Sequence, residues 1–286
     1  MIPTSFDYVR ANTLDEALSL LAQNEEAKIL AGGHSLIPAM KLRLAMPPLL
    51  VDISRIADLS YIREENGQIR IGAMTTHYQI EASELLKDIC PLLPECASHI
   101  GDVQVRNKGT IGGSVAHSDP AGDWPAAMIA LKAEIVAAGK NGSRTISADD
   151  FFVDLMTTAL EPGEILSEIR VNKTNGRTGQ AYTKMAHPAS GFAVVGVAAN
   201  ITRGEDGSCQ SASIGITGVS SKAYRATAVE AALTGARDDA AFGGAADHAA
   251  DGVDINGDLF ASSDYRRHLA RVYTRRAIAA AIGRAG

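Results

Sequence analysis

The chain has 286 residues, 46% hydrophobic and 21% charged, with 27 basic against 33 acidic side chains for a formal charge of −6. That length suits two domains of ~150 residues, and a chain of this size buries enough surface to fold without disulfide or metal staples. The acidic balance argues against a nucleic-acid protein, no run of 18 apolar residues offers a membrane span, and the opening MIPTSFDYVR lacks the basic start and apolar stretch of a signal peptide.

The first forty residues read as strand, helix, strand and loop. Thr13 with Glu16 three residues later has the form of a capping box. Leu14, Ala17, Leu18 and Leu21 behind it mark one face of an amphipathic helix. Residues 28–31 form a short apolar run ending in Gly32-Gly33, and 49–53, after Pro47-Pro48, are a second buried strand. The opening unit is therefore βαβ-like and covers about 1–55. From 56 onward, 68–71 alternate as a half-buried strand, and helices are expected over 81–89 and 92–100. A glycine-rich stretch starts at Gly109, a helix follows over 125–132, and Pro162-Gly163 turns the chain into a strand over 165–171.

The Asn-, Thr-, Gly- and Arg-rich segment 172–179 is the expected main boundary. Beyond it, strands over 192–201 and 211–217 join through the turn 204–207, and a helix over 223–233 stops at Gly235. Residues 237–258 read as a long loop. The closing helix, 264–282, carries Leu269, Val272, Tyr273, Ala277 and Ala280 on one face. It also carries Arg266, Arg267, Arg271, Arg275, Arg276 and Arg284 against one acid, Asp264. Such a basic face is either solvated or docks on an acidic partner surface.

Cys90, Cys96 and Cys209 form no CxxC pair, and an odd number of thiols suits a reducing, cytoplasmic compartment. An iron–sulfur cluster needs four ligands that three scattered cysteines do not supply. Neither HExxH nor HxH occurs, so no metal is expected in this chain.

Two segments carry chemistry. Ala31-Gly32-Gly33-His34-Ser35 and Thr110-Ile111-Gly112-Gly113-Ser114 each read as a glycine turn leading from an apolar strand into a helix. Successive N–H groups in such turns form concave anion sites, and glycine lets a ligand approach the backbone. Two of them could grip the two phosphates of a dinucleotide. Neither is GxGxxG or GxxxxGK[ST], so neither a Rossmann fingerprint nor a P-loop is supported. From the residues alone this is an anion or nucleotide binder, or simply two turns.

The segments PTSFDY (3–8), AGGHSLIPAMKLRL (31–44), IGAMTTH (71–77), VRNKGTIGGSVAHSDPAGDWPA (105–126) and EPGEILSEIRV (161–171) run in one order over nearly the whole chain. In these segments it resembles the medium, FAD-binding subunit of the molybdenum hydroxylases, the carbon monoxide dehydrogenase and xanthine dehydrogenase family. The resemblance implies an α+β fold. An FAD-binding domain of the PCMH, vanillyl-alcohol-oxidase-like type would cover 1–175, with subdomains of about 1–55 and 56–175. A small sheet-plus-helical-bundle domain would cover 176–286. FAD would lie between the subdomains, with both glycine loops around its pyrophosphate. Asp123 would accept from a ribose hydroxyl, Ile100 and Leu166 would pack on the cofactor, and Lys184 and Phe192 would lie near the flavin ring.

The implied role is electron transfer in an oxidoreductase complex. A large subunit with a molybdenum cofactor oxidises substrate, and two [2Fe-2S] clusters in a small subunit relay electrons to FAD here. An outer acceptor then takes them. The assembly implied is a dimer of heterotrimers, and no catalytic dyad is expected in this chain. The carbon monoxide branch carries Gly-Asp-Tyr or Gly-Asp-Trp ahead of its first C-terminal strand. The stretch Met185–Phe192 keeps the aromatic and lacks the acid, which favours an aldehyde or N-heterocycle hydroxylase. A stand-alone FAD oxidase and a non-catalytic nucleotide-binding module are the competing readings.

Overall fold

The computed structural model describes residues 1–174 and 176–286. In the N-terminal unit, β1 (Asp7–Arg10), α1 (Leu14–Gln23), β2 (Lys28–Leu30), α2 (Leu36–Lys41) and β3 (Leu49–Asp52) build a parallel sheet of order β1-β3-β2. This is the βαβ-like opening expected from the apolar runs. Thr13 Oγ1 caps α1 by accepting from Glu16 N at 3.1 Å, but the Glu16 carboxylate turns to Asn12 N at 2.8 Å instead of closing the box on Thr13.

The central unit begins with β4 (Ile62–Glu65) and β5 (Gln68–Gly72). Six short helices follow: α3 (His77–Glu81), α4 (Glu84–Ile89), α5 (Leu92–Ser98), α6 (Val103–Lys108), α7 (Ile111–His117) and α8 (Trp124–Ala130). The helix expected over 81–89 starts at Glu84, where Ser83 caps it by accepting from Leu86 N, and Glu81 instead ends α3. The glycine-rich stretch from Gly109 is itself helix α7. Then β6 (Glu134–Gly139), β7 (Gly142–Ser147), α9 (Ala148–Phe151), a small hairpin of β8 (Phe152–Asp154) with β9 (Thr157–Thr158), and β10 (Ile165–Asn172) complete an antiparallel sheet of order β4-β5-β10-β6-β7. Ile69, Ile71, Ile135 and Ile169 line one face of it and, with Trp124, Met128 and Phe151, form the main core.

The expected boundary 172–179 includes Asn175, which lies outside the described residues. The C-terminal unit follows: β11 (Thr178–Ala186), β12 (Ala193–Arg203), β13 (Cys209–Thr217) and β14 (Tyr224–Arg225) make an antiparallel meander. Strand β11 was not expected from the sequence, and it moves the stretch 185–192 to the end of the first C-terminal strand and the loop after it. Helices α10 (Thr227–Leu233), α11 (Asp239–Ala245) and α12 (Ser263–Arg284) cover one face. The supposed loop 237–258 thus contains α11, capped by Asp238. Alternation along the strands sends Val197, Ala199, Ile214 and Ile216 to this helical layer. Tyr182 and Ala198 point the other way, into the central core.

Helix α12 buries Arg266, Leu269, Ala270, Thr274, Ala277, Ile278 and Ala281, so its inward stripe is rotated from the one expected, and Val272, Tyr273 and Ala280 are only half-buried. Small residues face inward because the helix backbone lies on β11: a Cβ on Gly179 would collide with the Ala281 carbonyl oxygen. Three of the six arginines pair within the chain. Arg266 donates to Val194 O and Gly218 O and pairs with Asp258, Arg275 pairs with Asp247, and Arg284 pairs with Glu95 at 2.7 Å. This narrows the basic face, whether solvated or docking, to Arg267, Arg271 and Arg276.

The central unit and the C-terminal sheet meet where α8 crosses β12 and β13 over Ala198 and Gly215. A Cβ on Gly215 would run into the Ala126 carbonyl oxygen of α8. Gly215→Ala should therefore force the two units apart and destabilise the chain by ~1–3 kcal/mol, the usual scale of overpacking. A lower urea midpoint checks this; an unchanged one would mean that the seam relaxes freely.

Candidate functional site

The two glycine segments do different jobs. Ala31–Ser35 joins β2 to α2, with Gly33 in the left-handed region at φ 76°. A Cβ on Gly32 would collide with the Lys108 carbonyl oxygen. The backbone N–H groups of residues 31–35 have no acceptor among the described residues. They form an open set of donors, as an anion nest requires.

The second segment follows helix α6, not a strand, and of its backbone donors only the Thr110 N–H lacks an acceptor among the described residues. His77 N donates to Gly109 O at 3.0 Å, Ile111 N to Thr75 O at 3.0 Å and Gly112 N to Ala73 O at 2.9 Å, with Thr76 facing Thr110. Thr110 Oγ1 accepts from Gly113 N at 3.1 Å, and Ser114 N donates to Thr110 O. Neither Gly112 nor Gly113 has positive φ. Gly112 is needed because a Cβ would run into Ala73, and on Gly113 it would lie 2.8 Å from Thr110 Oγ1. These bonds make a zipper that holds one wall of the site in place, with Thr110 on the cavity lining.

Between the segments lies a cavity of about 930 Å³. Ala31, Gly32, Gly33 and His34 line one side, and Thr110 with Asn107 and Lys108 lines another. Ser35 adjoins it at the start of α2, while Ile111, Gly112, Gly113 and Ser114 stand behind Thr110 in the first turn of α7. The sequence reading missed Arg10, Asp52, Thr76, Gln79, Asn107 and Lys108 on this wall. Asn107 and Lys108 directly precede the glycine segment and were within reach of that reading. Arg10 and Asp52 come from strand ends with no local signature. Burial works to raise the Asp52 pKa, but hydrogen bonds from Tyr8, Ser54 and Arg10 outweigh it and hold the carboxyl below its ordinary value. The Lys108 ammonium pairs with no carboxylate among the described residues. The cavity thus offers an uncompensated cation and free backbone donors, which fit a phosphate-bearing ligand.

Of the other expected residues, Ile100 is half-buried against the core and Leu166 is buried in β10 opposite Ala137. Phe192 is 45% exposed in the loop between β11 and β12. None of the three lines the cavity. Asp123 and Lys184 lie together in the seam. Lys184 Nζ sits 2.9 Å from Asp123 Oδ2 and donates to His99 O at 2.8 Å, while Tyr182 Oη donates to Asp123 Oδ1 at 2.5 Å. Burial pushes the Asp123 carboxyl up, against the pull of Lys184 and the Tyr182 hydroxyl, and burial raises the Tyr182 phenol further. His77 is also buried, and desolvation, with the charges of His34 and Arg106, lowers its pKa to about 4. Its Nδ1 accepts from Trp124 Nε1 at 3.1 Å.

The FAD binding domain in molybdopterin dehydrogenase matches residues 4–173, and the CO dehydrogenase flavoprotein C-terminal domain matches 180–281. The chain belongs to this flavoprotein family. It is 41% identical to the carbon monoxide dehydrogenase medium chain of Hydrogenophaga pseudoflava, over 99% of both chains. It is 37% identical to the 6-hydroxypseudooxynicotine dehydrogenase complex subunit alpha of Paenarthrobacter nicotinovorans, over 100% of this chain and 97% of that one. A solved carbon monoxide dehydrogenase structure from Hydrogenophaga pseudoflava superposes with a TM-score of 0.97 at 42% identity, covering both chains fully. The α+β fold, the FAD-binding domain and the oxidoreductase class implied by the sequence motifs all stand. Among the described residues, no helix of this flavoprotein is long and apolar enough to cross a membrane.

Asp123 and Lys184 are 6% and 2% exposed, so removing one leaves the other charged and dry. Lys184→Met should cost ~3–5 kcal/mol, as breaking a buried pair usually does. Adding Asp123→Asn should recover much of that loss. Chemical denaturation of the singles and the double checks it; strictly additive losses would mean that the two charges are not coupled.

Proposed function

We propose that this chain is the FAD-binding electron-transfer subunit of a molybdenum-containing hydroxylase. In this reading the FAD domain spans 1–175, with subdomains 1–55 and 56–175, and the C-terminal flavoprotein domain spans 176–286. The observation that carries the reading is the cavity between the glycine segments, with its free donors at 31–35 and the unpaired Lys108. FAD, when bound, supplies the redox chemistry, and the protein supplies position and field. Residues 31–35 would hold the pyrophosphate, with Thr110, Gly113 and Ser114 closing the other side. Asp123 already accepts one hydrogen bond on each oxygen, and each oxygen keeps a further lone pair for a ribose hydroxyl. Ile100, Leu166 and Phe192 would provide apolar surface, and Lys184 would bring its charge toward the flavin ring.

The partners are a small subunit with two [2Fe-2S] clusters and a large subunit with the molybdenum cofactor, assembled in the cytoplasm as a dimer of heterotrimers. Full-length similarity to a "medium chain" and to a "complex subunit alpha" supports this over a stand-alone oxidase or a plain nucleotide-binding module. For substrate we favour an aldehyde or N-heterocycle over carbon monoxide, because the stretch before Phe192 lacks an acid. Purification of the native complex tests the assignment. Flavin absorbance with iron and molybdenum in two further subunits is expected, whereas a flavin-bearing chain that purifies alone would return the stand-alone oxidase. Gly33→Val should abolish FAD retention, since a β-branched residue is costly at φ 76°. A variant that keeps a full complement of FAD would remove this turn from the site.

A further inference from the structure

His77 ends the zipper that secures the second glycine segment. Its backbone N–H holds Gly109 O, and the Nε2–Cδ2 edge of its ring lies close to Gly109: a Cβ there would sit 2.7 Å from Nε2 and 2.8 Å from Cδ2. On the other side, Nδ1 accepts from the indole of Trp124, with the rings 5.9 Å apart. Accepting at Nδ1 fixes the neutral tautomer with its proton on Nε2. Trp124 is fully buried, begins α8 and directly follows Asp123. One hydrogen bond thus connects the Lys108–Thr110 wall of the cavity to the Asp123–Lys184–Tyr182 cluster. Nothing else in the motif 71–77 explains why a buried imidazole, costly to desolvate, stands where an aliphatic side chain would fill the space.

We propose that His77 is a positioning residue for the cofactor: through its hydrogen bond with Trp124 it sets the cavity wall at Gly109 against the buried Asp123 cluster. The inference rests on the FAD reading. Its test uses the assembled complex, with FAD removed and titrated back. His77→Phe keeps the ring bulk beside Gly109 but leaves the Trp124 N–H without an acceptor. It should weaken FAD binding about tenfold, within the usual range of coupling between two sites. His77→Asn, which restores an acceptor near Nδ1, should recover most of the affinity. Trp124→Phe should weaken FAD similarly, and combining it with His77→Phe should add little, as expected for one shared contact. A lower melting temperature with unchanged FAD affinity would overturn the proposal, as would an Asn variant as weak as the Phe variant. If His77→Phe does not fold, Trp124→Phe decides by the same affinity criterion. A wild-type complex that takes up no FAD would instead overturn the cofactor assignment itself.

Discussion

A carboxylate buried at the seam between the central unit and the C-terminal sheet is stable only while its partners stay in place, and Asp123 has two of them on β11. Strand periodicity makes this possible. Gln180, Tyr182 and Lys184 are alternate residues, so all three project from one face. Gln180 accepts from Leu92 N at 3.1 Å, and Tyr182 and Lys184 reach Asp123. The Tyr182 N–H adds a bond to Glu95, which Arg284 also holds. A slip of one residue along β11 would withdraw every one of these side chains at once. The seam therefore specifies register as well as contact, and it carries that register to the end of α12 through Arg284.

The same logic separates the two glycine segments. Both contain a Gly-Gly pair, yet the backbone around each answers a different constraint. In 31–35 the chain leaves a sheet edge, Gly33 takes a left-handed conformation, and the donors are left free. In 110–114 the chain is already helical, and its glycines exist to let Ala73 and Thr110 come close. A small-residue motif can thus mean an open backbone or a tightly packed one. Only the accounting of N–H partners tells which.

This bears on how much of the molecule was legible beforehand. The opening unit was, because its strands are short apolar runs bracketed by Gly-Gly and Pro-Pro. The family was too, since long ordered motifs carry far more information than any single turn. Strand β11 was not: Gly179, Gln180, Thr183 and Lys184 break any simple apolar alternation, because Gln180 and Lys184 bond across the seam and Thr183 bonds to Tyr273 O of α12. Helix α11 was hidden by alanine and glycine, which give no periodic signal even though Phe242 and Ala245 are buried. Arg10, Asp52 and His77 share another obstacle, since each owes its place to residues more than 40 positions away. A local pattern cannot announce such a partner.

The cavity's electrostatics are set by which of its charges are already paired. Arg10 and Asp52 neutralise one another on its wall, where Tyr8 shares Oδ2 with Arg10 and Ser54 N donates to Oδ1. That carboxyl is committed to structure and is a poor proton carrier. His77, lowered to about 4, stays neutral near pH 7 and contributes shape and a fixed dipole. What is left over is the charge of Lys108 and the row of backbone donors at 31–35. Both favour negative charge placed between the glycine segments, and neither has to move or change protonation to do so. A site built this way suits the phosphates of the FAD proposed to lie there. In the proposed reading FAD supplies the redox chemistry, and these fixed groups supply position and field.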